Sequence, residues 1–134
     1  MLDIEICAPD RPKVELRVQE IIIPGAEGVF AVREGHTPLL ATLSAGVLVV
    51  YDAEDKSDFY AITGGFAEVK DDTVSILADV FEPGDDVDAI RAEEARERAE
   101  QRLTKPVEDT DLKRAEMALA RSLARLSATK HQGY

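Results

Sequence analysis

The apolar residues of this chain change their spacing at Pro83–Gly84, and that change limits what it can fold into. Upstream, Leu2, Ile4 and Ile6 alternate with Asp3 and Glu5, and Val14, Leu16 and Val18 alternate with Glu15 and Arg17. A period of two marks a strand with one buried face. Further short runs at 46–52, 59–62, 66–69 and 74–78 are bounded by turn-forming clusters at 52–58, 63–65 and 70–73. Short strands with tight connections predict an antiparallel β-sandwich. Val47, Leu48, Val49 and Val50 are apolar at successive positions, so this strand is expected to be covered on both faces.

After Pro83–Gly84, glycine is absent until Gly133 and alanine becomes common. Val87, Ile90, Ala95, Ala99 and Leu103 fall at the spacing of one helical stripe, and Leu112, Ala115, Leu119, Leu123 and Leu126 at that of a second. Asp85 and Asp86 are expected to cap the first helix, and Asp109 or Thr110 the second. Lys105–Pro106 separates them, because proline cannot continue the helical hydrogen-bond ladder. The predicted fold is α+β: a sandwich over 1–84, then an antiparallel α-helical hairpin over 85–134. The stripes are largely alanine and leucine, with no aromatic residue until Tyr134. At about 25 cal/mol per Å2 their docking gain is modest. Such a pair is either a movable element or a permanent cap on the sheet, and composition does not separate the two.

Charge divides the chain at the same place. Residues 1–87 carry 6 Lys/Arg against 18 Asp/Glu, and residues 88–134 carry 10 against 9. A net charge of -11 argues against a nucleic-acid partner, which requires clustered cations. The longest apolar stretch, 45–51, is far too short to span a bilayer. Asp3 and Glu5 interrupt the opening residues, so no signal segment is expected. Cys7, the single cysteine, sits in an alternating pattern and is expected to be a buried, inert thiol.

Catalytic constellations are missing. His36, His131 and Cys7 lie far apart in sequence, so neither a zinc site nor a Cys–His pair is indicated. No serine stands in an elbow-type glycine frame, and the glycine pairs at 25/28 and 64/65 lack the following Lys-Ser/Thr of a phosphate loop. His36, between Gly35 and Thr37–Pro38, suits a hydrogen bond to nearby backbone or a protein contact better than metal binding. Arg91 and Arg98 are two helical turns apart, and Arg121 and Arg125 are one turn apart, each pair on one face. Folding the hairpin could gather these guanidinium groups near Asp88, an arrangement suited to a polyphosphate. Ordinary surface ion pairs of Glu94 with Arg98 and Glu93 with Arg96 account for much of the same charge.

Five segments in this order resemble the epsilon subunit of bacterial F-type ATP synthases: Pro24-Gly25-Ala26-Glu27-Gly28, Gly35-His36-Thr37-Pro38-Leu39-Leu40, Gly64-Gly65-Phe66-Ala67-Glu68-Val69, Val74-Ser75-Ile76-Leu77-Ala78-Asp79 and Val87-Asp88-Ala89-Ile90-Arg91-Ala92. The resemblance spans nearly the whole chain. It implies a ten-stranded sandwich that binds the gamma subunit and the ring of c subunits. Contacts are expected at Glu27, Val29, Arg33 and His36. It also implies a helical hairpin that in many bacterial members opens along gamma into the alpha/beta hexamer and blocks ATP hydrolysis. Such a protein is a non-catalytic rotor component without a required cofactor. It lies peripherally on the cytoplasmic face of the bacterial inner membrane, held there through its complex. Some members bind ATP in the folded hairpin as a regulatory ligand, through a motif matched here from Val87 to Ala92. The matching positions are Asp88, Arg91 and Ala92, with Glu82, Arg98, Arg121 and Arg125 beside them. An alternative of another class is a soluble nucleotide sensor whose hairpin folds around ATP. The chain departs from the family's usual glycine at Ala31 and usual proline at Glu34, in the region expected to face the stalk and ring.

Overall fold

The alternating segments form eight strands in a computed structural model that describes residues 1–9, 11–107 and 111–131. They are β1 (Leu2–Cys7), β2 (Val14–Val18), β3 (Glu20–Gly25), β4 (Gly28–Arg33), β5 (Leu39–Tyr51), β6 (Ser57–Lys70), β7 (Thr73–Ala78) and β8 (Phe81–Pro83). A 3-10 turn, Gly84–Asp86, leads into α1 (Ala89–Thr104) and α2 (Leu112–Thr129). The strand order is β2-β1-β7-β6-β5-β3-β4, with β8 also paired to β6. Every pairing is antiparallel except β1 with β7, whose strands are distant in sequence and need no hairpin.

The sheet becomes a sandwich at two places in its long strands. Tyr60 and Ile62 on β6 pack into the core, but so do Ala67 and Val69, which have the opposite parity. On β5, Leu43 faces the core, and then Leu48 and Val50 do. A strand changes the parity of its buried face only where its pleat is interrupted. The interruption lies where Ser44 meets Gly64, the one position skipped in an otherwise continuous β5–β6 register. Gly64 and Gly65 have φ of +121° and +123°, which side chains other than hydrogen rarely allow. A Cβ on Gly65 would lie 1.9 Å from the Leu77 carbonyl oxygen. The 63–65 cluster, expected as a turn between strands, is therefore a bend within one. Counting each bent strand twice accounts for the ten strands implied by the resemblance.

One core fills the sandwich, with Leu2, Ile6, Ile21, Ile23, Ile62 and Phe81 fully buried. Val47 and Val49 point the other way, into a second cluster with Ala61 and Ala128 of α2. That double coverage explains the unbroken apolar run. Cys7 has the parity of Asp3 and Glu5, not of Ile6, so it lies half-exposed on the outer face and is not the buried thiol expected.

The helical hairpin packs α1 on α2, and α2 on β5, β6 and the 3-10 turn. Asp88, not Asp85 or Asp86, caps α1, its carboxylate accepting from the Arg91 amide at 3.1 Å. Asp111 caps α2 through the Arg114 amide at 3.0 Å, while the expected caps Asp109 and Thr110 lie outside the described residues. The buried faces are Ala92 and Ala99 on α1, and Ala115, Ser122, Ala124, Leu126 and Ala128 on α2. Ile90 is 74% exposed and Leu112 and Leu123 are nearly half exposed, contrary to the predicted stripes. Close helix packing selects the alanines, whose backbones can approach, over the larger residues at neighbouring positions.

Candidate functional site

Glu82 on β8 and Arg125 on α2 meet at the seam between sandwich and hairpin, joined by Nε–Oε2 and Nη2–Oε1 hydrogen bonds of 3.0 and 3.4 Å. Both are largely shielded, which strengthens a charge-assisted contact relative to one in open solvent. Beside this seam Val87, Ala92 and Leu126 form a small apolar cluster that sets the start of α1 on the end of α2. Asp88 is committed to its capping bond, and Arg91 is exposed at the same helix start.

The remaining arginines divide into two classes. Arg96 pairs with both Glu93 and Glu100, and its hydrogen bond holds the Glu93 carboxyl below the usual carboxylate range. The charge of Lys130, which caps the end of α2, acts weakly in the same direction, as expected when the end of α2 lies near the start of α1. Arg91, Arg98 and Arg121 make no ion pair among the described residues, and the Glu94–Arg98 pair expected from spacing does not form. Arg121 lines a groove of about 410 Å3 with Met117 and Ala120, over Phe66, Asp79 and the Gly64–Gly65 bend. The structure thus joins Glu82 to Arg125 through their side chains and Asp88 to the backbone amide of Arg91, with Ala92 buried beside Val87 and Leu126. Arg121 borders the bend, where the groove includes none of the other six expected positions.

The second set of expected positions is spread along β4 and the loops at its two ends. Glu27 is exposed in the β3–β4 turn, and Val29 is 44% exposed. Together with Phe30, Leu39 and Leu40 they line a groove of about 710 Å3. Arg33 is paired with Glu20, its cross-strand neighbour. His36 donates from Nδ1 to the Thr37 carbonyl oxygen at 2.6 Å, one of the two roles expected for it. Gly35 in the same loop donates its amide to Asp72 Oδ1 at 2.7 Å, tying the β4–β5 loop to the β6–β7 turn.

Sequence reasoning missed an apolar patch. Phe66 lies opposite Leu77 on β7 and Thr42 on β5, and Leu40 is two positions along the same face. Leu40, Phe66 and Leu77 are 71%, 55% and 60% exposed. Contiguous exposed apolar side chains on a sheet face mark a contact surface. The signal was present: Phe66 has the parity opposite to that of Ala67 and Val69.

Family comparisons agree with this arrangement. Residues 1–84 match the model of the ATP synthase delta/epsilon chain β-sandwich domain, and residues 85–130 match that of the long α-helix domain. The chain is 38% identical over 128 residues to the ATP synthase epsilon chain of Desulfitobacterium hafniense strain Y51, covering 96% of each. It is 42% identical over 125 residues to that of Nitratidesulfovibrio vulgaris strain DP4, covering 93% of this chain and 92% of the relative. A chain in the Euglena gracilis mitochondrial ATP synthase (OSCP/F1/c-ring, rotational state 1) superposes with a TM-score of 0.80 at 28% identity, covering 97% of this chain and 81% of that one. No helix among the described residues is long and apolar enough to cross a membrane. The chain belongs to the ATP synthase epsilon-chain family, as a non-catalytic subunit of the central stalk.

Proposed function

We propose that the sandwich, residues 1–84, is the anchoring module of this subunit and that the hairpin, residues 85–134, is a separate, movable regulatory element. The observation that carries this reading is the contrast between the two interiors. The sandwich core is built of Ile, Leu, Val and Phe, whereas the hairpin buries mainly alanine. Apolar stabilisation scales with area removed from water, so the hairpin detaches at far lower cost than the sandwich opens.

In this reading the outer face around Leu40, Phe66 and Leu77 docks on the gamma subunit. Glu27, Val29, Arg33 and His36, on the β3–β4 hairpin and the loop after it, face the ring of c subunits. The subunit then rides on the cytoplasmic face of the bacterial inner membrane, held there by its partners. Opened, the hairpin reaches along gamma toward the alpha and beta subunits and restrains ATP hydrolysis. Folded, it offers Glu82, Asp88, Arg91, Ala92, Arg98, Arg121 and Arg125 to regulatory ATP. Arg91, Arg98 and Arg121 make no ion pair among the described residues, so their guanidinium groups are open to an anion, which supports that assignment.

The test is ATP hydrolysis by the reconstituted synthase carrying either the full chain or residues 1–84. Faster hydrolysis with the shorter chain, at equal incorporation, supports the regulatory hairpin. Equal rates remove that role and leave the stalk role intact.

A further inference from the structure

We propose that the end of α2 and the turn after it, Ala128–His131, form a clasp on the corner made by Phe59, Gly84 and Asp85, and that release of this corner frees the hairpin. The proposal rests on the movable hairpin argued above and names the contact that controls it.

Three features of this corner are independent of one another. First, Gly84 is buried, and a Cβ there would lie 2.3 Å from the Ala128 carbonyl oxygen. Gly84 lacks the positive φ that favours glycine elsewhere, so its value is close approach: only a residue without a side chain lets the end of α2 sit down. Second, Thr129 Oγ1 donates to the Gly84 carbonyl oxygen at 3.3 Å, fixing that seat from the helix side. Third, the chain turns back after the helix. His131 adopts a left-handed φ of 53° and donates its amide to the Ala128 carbonyl oxygen.

That turn aims the imidazole at the sandwich. Its ring stacks on Phe59 of β6 at 5.5 Å between centroids and 16° between planes, and Nε2 lies 2.8 Å from Asp85 Oδ1. Left-handed backbone is unfavourable for a residue with a side chain, and here a stacking contact on one face of the ring and a hydrogen bond at its Nε2 edge accompany it. Against β5 and β6, the side chain of Ala128 itself packs with Val47, Val49 and Ala61, a contact that is small and without direction. Among the described residues, the Glu82–Arg125 pair is the other ionic side-chain contact that ties α2 back to the chain ahead of α1. The two differ in position. Arg125 is about one turn inside the helix, whereas His131 lies just past its end, where unwinding starts.

The experiment uses the full chain with Cys7→Ser and spin labels at Lys56→Cys and Glu97→Cys, exposed positions on the β5–β6 turn and on α1. Pulsed-resonance distance distributions then report docked and undocked hairpins. His131→Ala is expected to raise the undocked fraction about threefold, the scale of one exposed hydrogen bond with a ring contact. Asp85→Ala should raise it less, because the stack on Phe59 remains, and the double variant should do little more than His131→Ala alone, since the hydrogen bond they share is lost only once. Gly84→Ala should raise it about tenfold or more, with the sandwich amides still protected from hydrogen exchange. If these variants keep the parent distribution while Arg125→Ala shifts it, the hairpin moves but the clasp is wrong. A single docked distance in every variant, Arg125→Ala included, overturns the movable hairpin and the clasp with it.

Discussion

Arg125 reaches across the seam to grip Glu82, and in doing so it joins the last strand of the sandwich to the second helix of the hairpin. The same two side chains are expected nucleotide contacts. In the folded hairpin the Glu82 carboxylate is already neutralised by Arg125, so an incoming phosphate would have to compete for that guanidinium. Arg91, Arg98 and Arg121 carry no such commitment among the described residues. In the folded chain the seam is therefore first a structural contact between the two modules.

Arg125→Ala should loosen the hairpin and leave the sandwich unchanged. A largely shielded pair of this geometry is worth about 1–2 kcal/mol. Hydrogen exchange is expected to quicken across α2 while β1, β6 and β7 keep their protection. Uniform loss of protection through both modules would mean one cooperative unit.

Gly65→Ala should be among the most damaging single substitutions. It combines a φ of +123° with a Cβ placed 1.9 Å from the Leu77 carbonyl oxygen. The expected loss is about 3 kcal/mol or more, read from urea denaturation. Gly28→Ala provides the comparison: its φ is +136°, but nothing lies within 4 Å of the added carbon. It should cost only the backbone strain, about 1–2 kcal/mol.

Asp88→Ala removes the α1 cap and is expected to cost about 1 kcal/mol of local helix stability, visible as faster exchange at the start of α1. If the hairpin also binds ATP, calorimetry will show binding heat for the parent chain that Asp88→Ala and Arg91→Ala each diminish. Heat that survives both substitutions would place any nucleotide elsewhere.

Acid should weaken α1 at a defined point. Arg96 lowers the Glu93 carboxyl below its ordinary value. A lowered value means that the pair contributes above the ordinary carboxylate range and is lost only as pH falls through the lowered one. A carbon-detected NMR titration should show Glu93 protonating at lower pH in the parent than in Arg96→Gln. Superposable titrations would show that the pair does not persist in solution.

Leu40→Glu and Phe66→Ser should impair assembly without unfolding the chain, since both side chains are more than half exposed. Co-purification with gamma subunit is the measurement, with circular dichroism as the control. Full retention of gamma by both variants would move the docking surface elsewhere on the sandwich.

Local pattern alone was enough for much of this protein. Alternation in Leu2–Ile6 and Val14–Val18 makes strands because polar residues at every second position leave one face to bury. The alanine-rich stretch after Pro83 makes helices because alanine loses little entropy there and proline at 106 ends the first. Even the unbroken run Val47–Val50 announced two covers, which proved to be the sandwich core and Ala128 of α2. The ordered segments that resemble the epsilon family stood equally open to reading.

Tertiary structure decided what depends on contacts between distant residues. The Gly64–Gly65 pair reads locally as a turn, and only continuous pairing of β5 with β6 makes it a bend that carries a strand between layers. Ile90 and Leu123 fit a helical stripe by spacing, yet alanines take the interface because the helices approach too closely for larger groups. Asp85 looked like a cap and instead meets His131, a partner 46 residues away. Period and propensity act over a few residues, whereas the meeting of Glu82 with Arg125 is set by how two finished modules stack.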